Sequence, residues 1–176
     1  DMDFRVADPI VAALQRRVER GIYGYAGMTA GYLEAVVSWI ERRHGWSADQ
    51  DWIVPTVGIV PALNMIVRQF TMPGEGVLIQ RPVYHPFTYA VENNGREVVC
   101  NPLRLQGDRY GMDLEALETK VMDSNVTLAI LCNPHNPVGR VWSDEEIHRF
   151  SEICTRHGVL VVSDEIHGDL VLPGHR

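Results

Sequence analysis

Three short segments hold side chains whose types and spacing could act on a small molecule. Ser163-Asp164-Glu165-Ile166-His167 sets two carboxylates and an imidazole side by side. A carboxylate taken out of water is costly unless a cation answers it. On the floor of a dry pocket it could keep a pyridine-type nitrogen protonated. Asp164 could equally cap a following helix, a common use of aspartate. The second segment, Asn133-Pro134-His135-Asn136-Pro137-Val138-Gly139, contains two Asn–Pro pairs. Proline pushes the residue before it out of the helical region, so the path is extended and rigid. One of the pairs is a candidate for the cis form. Such a loop can hold an amide side chain at a fixed angle; an ordinary proline turn explains one pair but hardly the doubled pattern. In the third segment, Thr56-Val57-Gly58-Ile59-Val60-Pro61, a glycine precedes a helical stretch. The backbone there could approach a ligand closely, and the N–H groups opening the helix would face an anion such as phosphate. A plain strand-to-helix turn accounts for this segment as well.

The elements around these segments must bring them together. Short apolar runs predict strands at Trp52–Pro55, Gly76–Gln80, Glu97–Cys100, Thr127–Cys132 and Val159–Ser163. Amphipathic stretches near 61–71, 85–94, 113–123 and 143–157 predict helices between them. The last opens with a capping box, Ser143 and Glu146. Leu128–Leu131 and Val159–Val162 are apolar at every position, as strands buried on both faces must be. Tyr110-Gly111 marks a turn or hairpin. Ahead of this region, Asp8 as N-cap with Pro9 starts a helix bearing Ile10, Val11, Leu14 and Val18, and Gly21 stops it. An aromatic and glycine-rich loop, 23–29, leads to a second helix with Leu33, Val36, Val37 and Ile40 on one face. Alternating strands and helices imply a three-layer α/β/α fold with a mostly parallel sheet. In such a sheet ligands bind beyond the carboxyl ends of the strands, where the Asn–Pro and Asp–Glu segments fall. The expected organisation is an N-terminal helical segment over 1–22 and one α/β domain over 23–176.

Together these segments resemble the class I/II aminotransferases, the fold-type I pyridoxal-phosphate (PLP) enzymes, over nearly the whole chain. Asp1-Met2-Asp3-Phe4, Tyr23-Gly24-Tyr25 and Pro82-Val83-Tyr84-His85-Pro86-Phe87, with the Asn–Pro and Ser-Asp-Glu-Ile-His segments, resemble the cystathionine β-lyase, or C–S lyase, branch. Most aminotransferases carry a tyrosine near the position of His167. The resemblance implies part of a large PLP-binding domain. It implies that Asp164 pairs with the pyridinium nitrogen and that Asn136 bonds the ring's phenolic oxygen with His167 nearby. Tyr84 would stack on the ring, and the N–H groups of Gly58, Ile59 and Val60 would bind the phosphate. Tyr25 would reach the neighbouring site of a homodimer.

The family also needs a Schiff-base lysine and an arginine for the substrate carboxylate, both well beyond the Ser-Asp-Glu-Ile-His motif. The only lysine here is Lys120, beside the Leu114, Leu117, Val121 stripe of a predicted helix, where the ordinary reading is a solvated side chain. No catalytic residue is therefore assigned, and the chain is expected to be inactive alone, binding PLP weakly and non-covalently. Its ends, Asp1 rather than Met and Arg176 just after a strand, read as cuts through a longer protein. For that protein the expectation is β-elimination of a sulfur amino acid to pyruvate, ammonia and a thiol. Transamination is the alternative, and a non-catalytic binding or regulatory protein of the same fold the second. A net charge of −7 argues against nucleic-acid or anionic-membrane partners. Three scattered cysteines read as reduced, buried thiols of a cytoplasmic protein. The seven histidines show no metal-ligand spacing, and His135 reads as a loop residue.

Overall fold

The structure is a computed structural model that describes residues 3–25, 27–123, 125–172 and 174. Asp1 and Met2 of the opening motif, and Pro173, His175 and Arg176, lie outside the described residues. The chain divides into two units, 1–54 and 55–176, so the boundary expected after Ile22 falls inside the first.

In the first unit, α1 (Asp8–Arg20) and α2 (Ala30–His44) are both closed by glycines in the left-handed conformation, Gly21 and Gly45. Asp8 is the first residue of α1 rather than its cap: Ala7 is the N-cap, and no side chain caps the helix. The helix starts there because Pro9 pre-sets its first turn, while the Asp8 carboxylate accepts a bond from Arg5. Thr29 caps α2 by accepting the Tyr32 N–H. The strand expected over Trp52–Pro55 does not form. Gln50–Trp52 is a turn of 3-10 helix, Trp52 and Val54 are largely exposed, and among the described residues no strand pairs with this stretch.

The second unit is built in layers. After α3 (Ile59–Phe70) come β1 (Gly76–Ile79), α4 (Pro86–Glu92) and β2 (Glu97–Cys100). A hairpin follows, β3 (Arg104–Gln106) with β4 (Arg109–Gly111), as the Tyr110-Gly111 pair predicts. Then α5 (Leu114–Asp123), β5 (Val126–Cys132), α6 (Asp144–Arg156) and β6 (Leu160–Asp164) complete it. Four strands form one wholly parallel sheet in the order β2-β1-β5-β6.

Strand alternation divides two cores between the sheet's faces. Val77, Ile79, Leu128, Ile130 and Cys132 pack with Leu63 and Val67 of α3 and Phe87 and Val91 of α4. Leu78, Ala129 and Leu131 pack on the other face with Leu117 of α5 and Phe150, Ile153 and Cys154 of α6. Each fully buried leucine or phenylalanine contributes about 1.5–3 kcal/mol from burial alone. The capping box of α6 forms as predicted: the Ser143 hydroxyl accepts the Glu146 N–H, and Glu146 accepts the Ser143 N–H. β5 is buried as its apolar run requires, but β6 is not. Leu160 and Ser163 are exposed and Val161 and Val162 half-buried, because β6 is the edge of the sheet. Gly76 stands where β1 slips register against β5; a Cβ there would meet Val99 Cγ2 at 2.9 Å.

Candidate active site

The sheet's topology locates the site. From β1 the chain crosses by α4 to β2 on one side, and from β5 it crosses by α6 to β6 on the other. β1 and β5 are adjacent, so the winding reverses between them, and a crevice opens beyond their carboxyl ends. Two segments border that crevice, 80–85 after β1 and 133–139 after β5. They carry Tyr84 and Asn136, and the Tyr84 N–H donates to the Asn136 carbonyl at 2.9 Å. Asp164 ends the neighbouring strand, in register with Cys132, and its carbonyl accepts the Asn133 N–H at 3.0 Å. Gly58 stands at the same end of the sheet, because α3 packs on the sheet and its far end feeds the start of β1.

The 133–139 loop is held at both of its ends. Asn133 Oδ1 accepts the Trp142 N–H, and Trp142 Nε1 donates to the Cys132 carbonyl. The His135 N–H donates to Arg140, and Gly139 donates back to His135. Arg140 stacks 4.6 Å over the Trp142 ring, donates to the Tyr110 carbonyl and forks onto both oxygens of Glu146, the capping-box residue. Both Asn–Pro bonds are cis, as is Arg81–Pro82. The Asn136 amide, half-buried on this frame, makes no side-chain hydrogen bond among the described residues.

Asp164 is 8% exposed. One of its oxygens accepts the Ile166 N–H, a local turn of the kind a capping aspartate makes. Among the described residues no arginine, lysine or histidine pairs with it. Burial pushes the neighbouring Cys132 thiol up to about 11, and the Asp164 charge adds to the effect. His167, half-buried, precedes the 3-10 turn Gly168–Leu170 and makes no side-chain hydrogen bond among the described residues. Tyr84 is 38% exposed, with Phe87 edge-on to its ring at 6.1 Å. Gly58 takes a φ of +145°, open to glycine but strained for other residues, and no side chain caps α3. Its first N–H groups therefore stay available to an anion.

Tyr84, Asn136, Asp164 and His167 thus all lie on segments that follow or end strands at the carboxyl end of the sheet. Tyr25 is fully exposed and belongs to the first unit. A cleft of about 520 Å³ borders Asn136 and His167, with Arg109, Arg140 and Leu172 among its walls, and does not include Asp164, Tyr84 or Gly58. Lys120 is half-buried in the last turn of α5, which feeds the start of β5, so it stands at the opposite end of the sheet. Cys100 is half-buried where the sequence suggests full burial; Cys132 and Cys154 are buried. His135 is the residue that sequence reasoning missed. It lies in the loop as expected but is 1% exposed, with its ring edge-to-face with Trp142. No local signal marks it, because its neighbours in the loop are half-buried or exposed and its own burial comes from the crossing of two loops.

A sequence profile described as "Aminotransferase class I and II" matches residues 3–176. The chain belongs to that family. Its family relatives include cystathionine beta-lyase PatB of Bacillus subtilis, 49% identical over all of this chain and 46% of PatB. Protein MalY of Escherichia coli is 36% identical over 97% of this chain and 44% of MalY. The crystal structure of cystalysin from Treponema denticola, which contains a PLP cofactor, superposes with a TM-score of 0.96. It is 38% identical and covers 100% of this chain and 45% of cystalysin. The chain therefore spans less than half the length of the relatives it matches. The family is PLP-dependent, and the three-layer fold with its parallel sheet is that of its PLP-binding domain. The residues present are chemically suited to that cofactor: among the described residues, the strand-end region offers a buried carboxylate with no cationic partner, an amide with no side-chain hydrogen bond and an uncapped helix start.

Proposed function

We propose that these residues form the cofactor cradle of a PLP-dependent C–S lyase. In the complete protein it would eliminate the sulfur substituent of an amino acid such as cystathionine, giving pyruvate, ammonia and a thiol. The observation that carries this reading is Asp164, a buried carboxylate at a strand's carboxyl end with no cationic partner among the described residues. Such a charge is tolerable when a ligand brings the cation. When bound, PLP would withdraw electron density from the substrate's Cα so that its proton and then the thiolate can leave.

Each residue's part follows from its place. Asp164 would keep the pyridine nitrogen protonated. Asn136 would donate its amide to the ring's phenolic oxygen, with His167 beside it, and Tyr84 would cover the ring face. Gly58, Ile59 and Val60 would direct N–H groups at the phosphate. Tyr25, exposed in the first unit, would contact the neighbouring subunit's phosphate in a homodimer. Lys120 stands at the wrong end of the sheet to act on Cα, so that base would come from elsewhere in the whole protein, and this chain alone would not turn over.

The likeness to PatB, named a cystathionine beta-lyase, supports elimination; the family's description as aminotransferases favours transamination as the second reading. Giving the complete protein cystathionine should release pyruvate and a thiol in step. A new amino acid formed from an added keto acid, without thiol release, would assign transamination instead. Neither product would leave a binding or regulatory role.

A further inference from the structure

We propose that His135 is a positioning residue that locks the segment carrying Tyr84 to the segment carrying Asn136 across the crevice between β1 and β5. The inference rests on the reading of that crevice as the PLP site, and it begins from a side chain that this reading leaves unused. His135 is 1% exposed, and its ring Nε2 lies 2.9 Å from the carbonyl oxygen of Pro82. A carbonyl only accepts, so Nε2 must carry the proton. Burial, the largest influence on the ring, holds its pKa below the ordinary histidine value, while the backbone of Pro82, Cys132 and Gln80 opposes that shift. The buried Nδ1 finds no hydrogen-bond partner among the described residues, the pattern of a neutral ring. The ring is therefore neutral with its one proton committed to Pro82. Trp142, edge-to-face at 5.3 Å, fixes the ring plane, and Trp142 is itself bonded to Asn133 and Cys132.

The geometry gives this bond a purpose. The two segments leave adjacent strands and meet through the Tyr84 N–H to the Asn136 carbonyl. The Leu103 N–H holds the Arg81 carbonyl at the start of the 81–84 segment, but toward the 133–139 loop the Tyr84 bond alone would leave the segment free to pivot. The bond from His135 to Pro82, two residues earlier, supplies a second point and fixes the segment's rotation. The Tyr84 ring makes no side-chain hydrogen bond among the described residues, so its direction follows its backbone. His135 thus sets the angle between a residue that would cover the cofactor ring and one that would bond its phenolic oxygen.

Two substitutions separate this role from simple core filling. In His135→Gln the amide nitrogen reaches about as far as Nε2 and can still donate to Pro82. In His135→Asn, equally polar and neutral, it falls short. The complete protein should be stripped of PLP, and two quantities measured: hydrogen exchange in peptides spanning residues 83–87, and PLP affinity by absorbance titration. H135N should exchange about tenfold faster there and bind PLP about tenfold more weakly, as the loss of one net hydrogen bond implies. H135Q should match the unsubstituted protein in both. Wild-type exchange and affinity in H135N, or equal losses in H135Q and H135N, would overturn the proposal. If H135N does not fold, a tenfold loss in H135Q does the same, and wild-type values in H135Q support it. If the unsubstituted protein takes up no PLP while exchange still separates N from Q, the clamp stands and the cofactor reading falls.

Discussion

At the scale of single residues, the strongest statement concerns a charge in the wrong place for stability. The Asp164 carboxylate has no cationic partner among the described residues, so its burial costs desolvation energy that only the local bond from the Ile166 N–H offsets. Replacing Asp164 should therefore leave the fold intact. Asp164→Asn keeps an oxygen for the Ile166 N–H, so the local turn survives; Asp164→Ala gives up that bond as well. With PLP removed from the complete protein, D164N should unfold at or slightly above the wild-type midpoint and D164A at or slightly below it, for want of that bond. Both should lose on the order of 10²–10³-fold in turnover of a sulfur amino acid, the range typical of removing one preorganised electrostatic contact. Thermal unfolding together with steady-state pyruvate release checks both halves. A D164N protein that keeps near-normal turnover removes Asp164 from the site, whatever its stability.

Elements decide which of these residues can cooperate, and α3 is the clearest case. Gly58 begins it with φ of +145°, and a Cβ there would still find Pro61 Cδ at a comfortable 3.6 Å. The demand for glycine is conformational, not steric. Gly58→Ala should cost about 1–3 kcal/mol in unfolding free energy through backbone strain. It should also weaken PLP binding by turning the first N–H groups of α3 away from the phosphate. Denaturant unfolding and a PLP titration of the complete protein would show both losses; an alanine variant with unchanged stability contradicts the strain. The sequence made much at this scale legible, because local chemistry dictates it. The Ser143–Glu146 box, Gly21 as a helix stop and the fully apolar Leu128–Leu131 run each specify their structure within a few residues. What failed depended on neighbours. Leu160–Val162 is as apolar as Leu128–Leu131, yet composition does not reveal which strand will stand at the edge of the sheet. Trp52–Pro55 has strand chemistry and no strand beside it. His135 looks polar and local, and only the crossing of two loops buries it.

Over the whole molecule, a sheet covered on both faces puts the loops after its strands on one rim, and that rim contains a histidine whose charged form burial disfavours. No helix among the described residues is long and apolar enough to cross a membrane. The layered core and the protons its groups exchange on unfolding both bear on stability. The unfolded chain takes up a proton on His135 near the ordinary value of 6.5, whereas burial in the native state lowers that value. Below about pH 6.5 the unfolded state therefore binds more protons than the native one, so stability rises with pH through this window. The contribution of neutral His135 is fully present above the unfolded value and is lost as pH falls toward the folded one. For one proton the slope cannot exceed about 1.4 kcal/mol per pH unit. Other groups contribute too, including Glu118 of α5, whose carboxyl is held below its ordinary value first by its bond to His157 and then by its pairing with Arg156, so the wild-type curve alone does not isolate the effect. The difference between the unsubstituted protein and H135Q does, because those pairs cancel. Urea unfolding of both proteins between pH 8 and pH 5 should give a constant difference above about pH 7.5. Below that the unsubstituted protein should lose stability relative to H135Q, which keeps the bond to Pro82 without a group that titrates. A difference that stays flat down to pH 5 would mean that His135 is protonated in the native state, and with it the neutral-ring clamp would have to be abandoned.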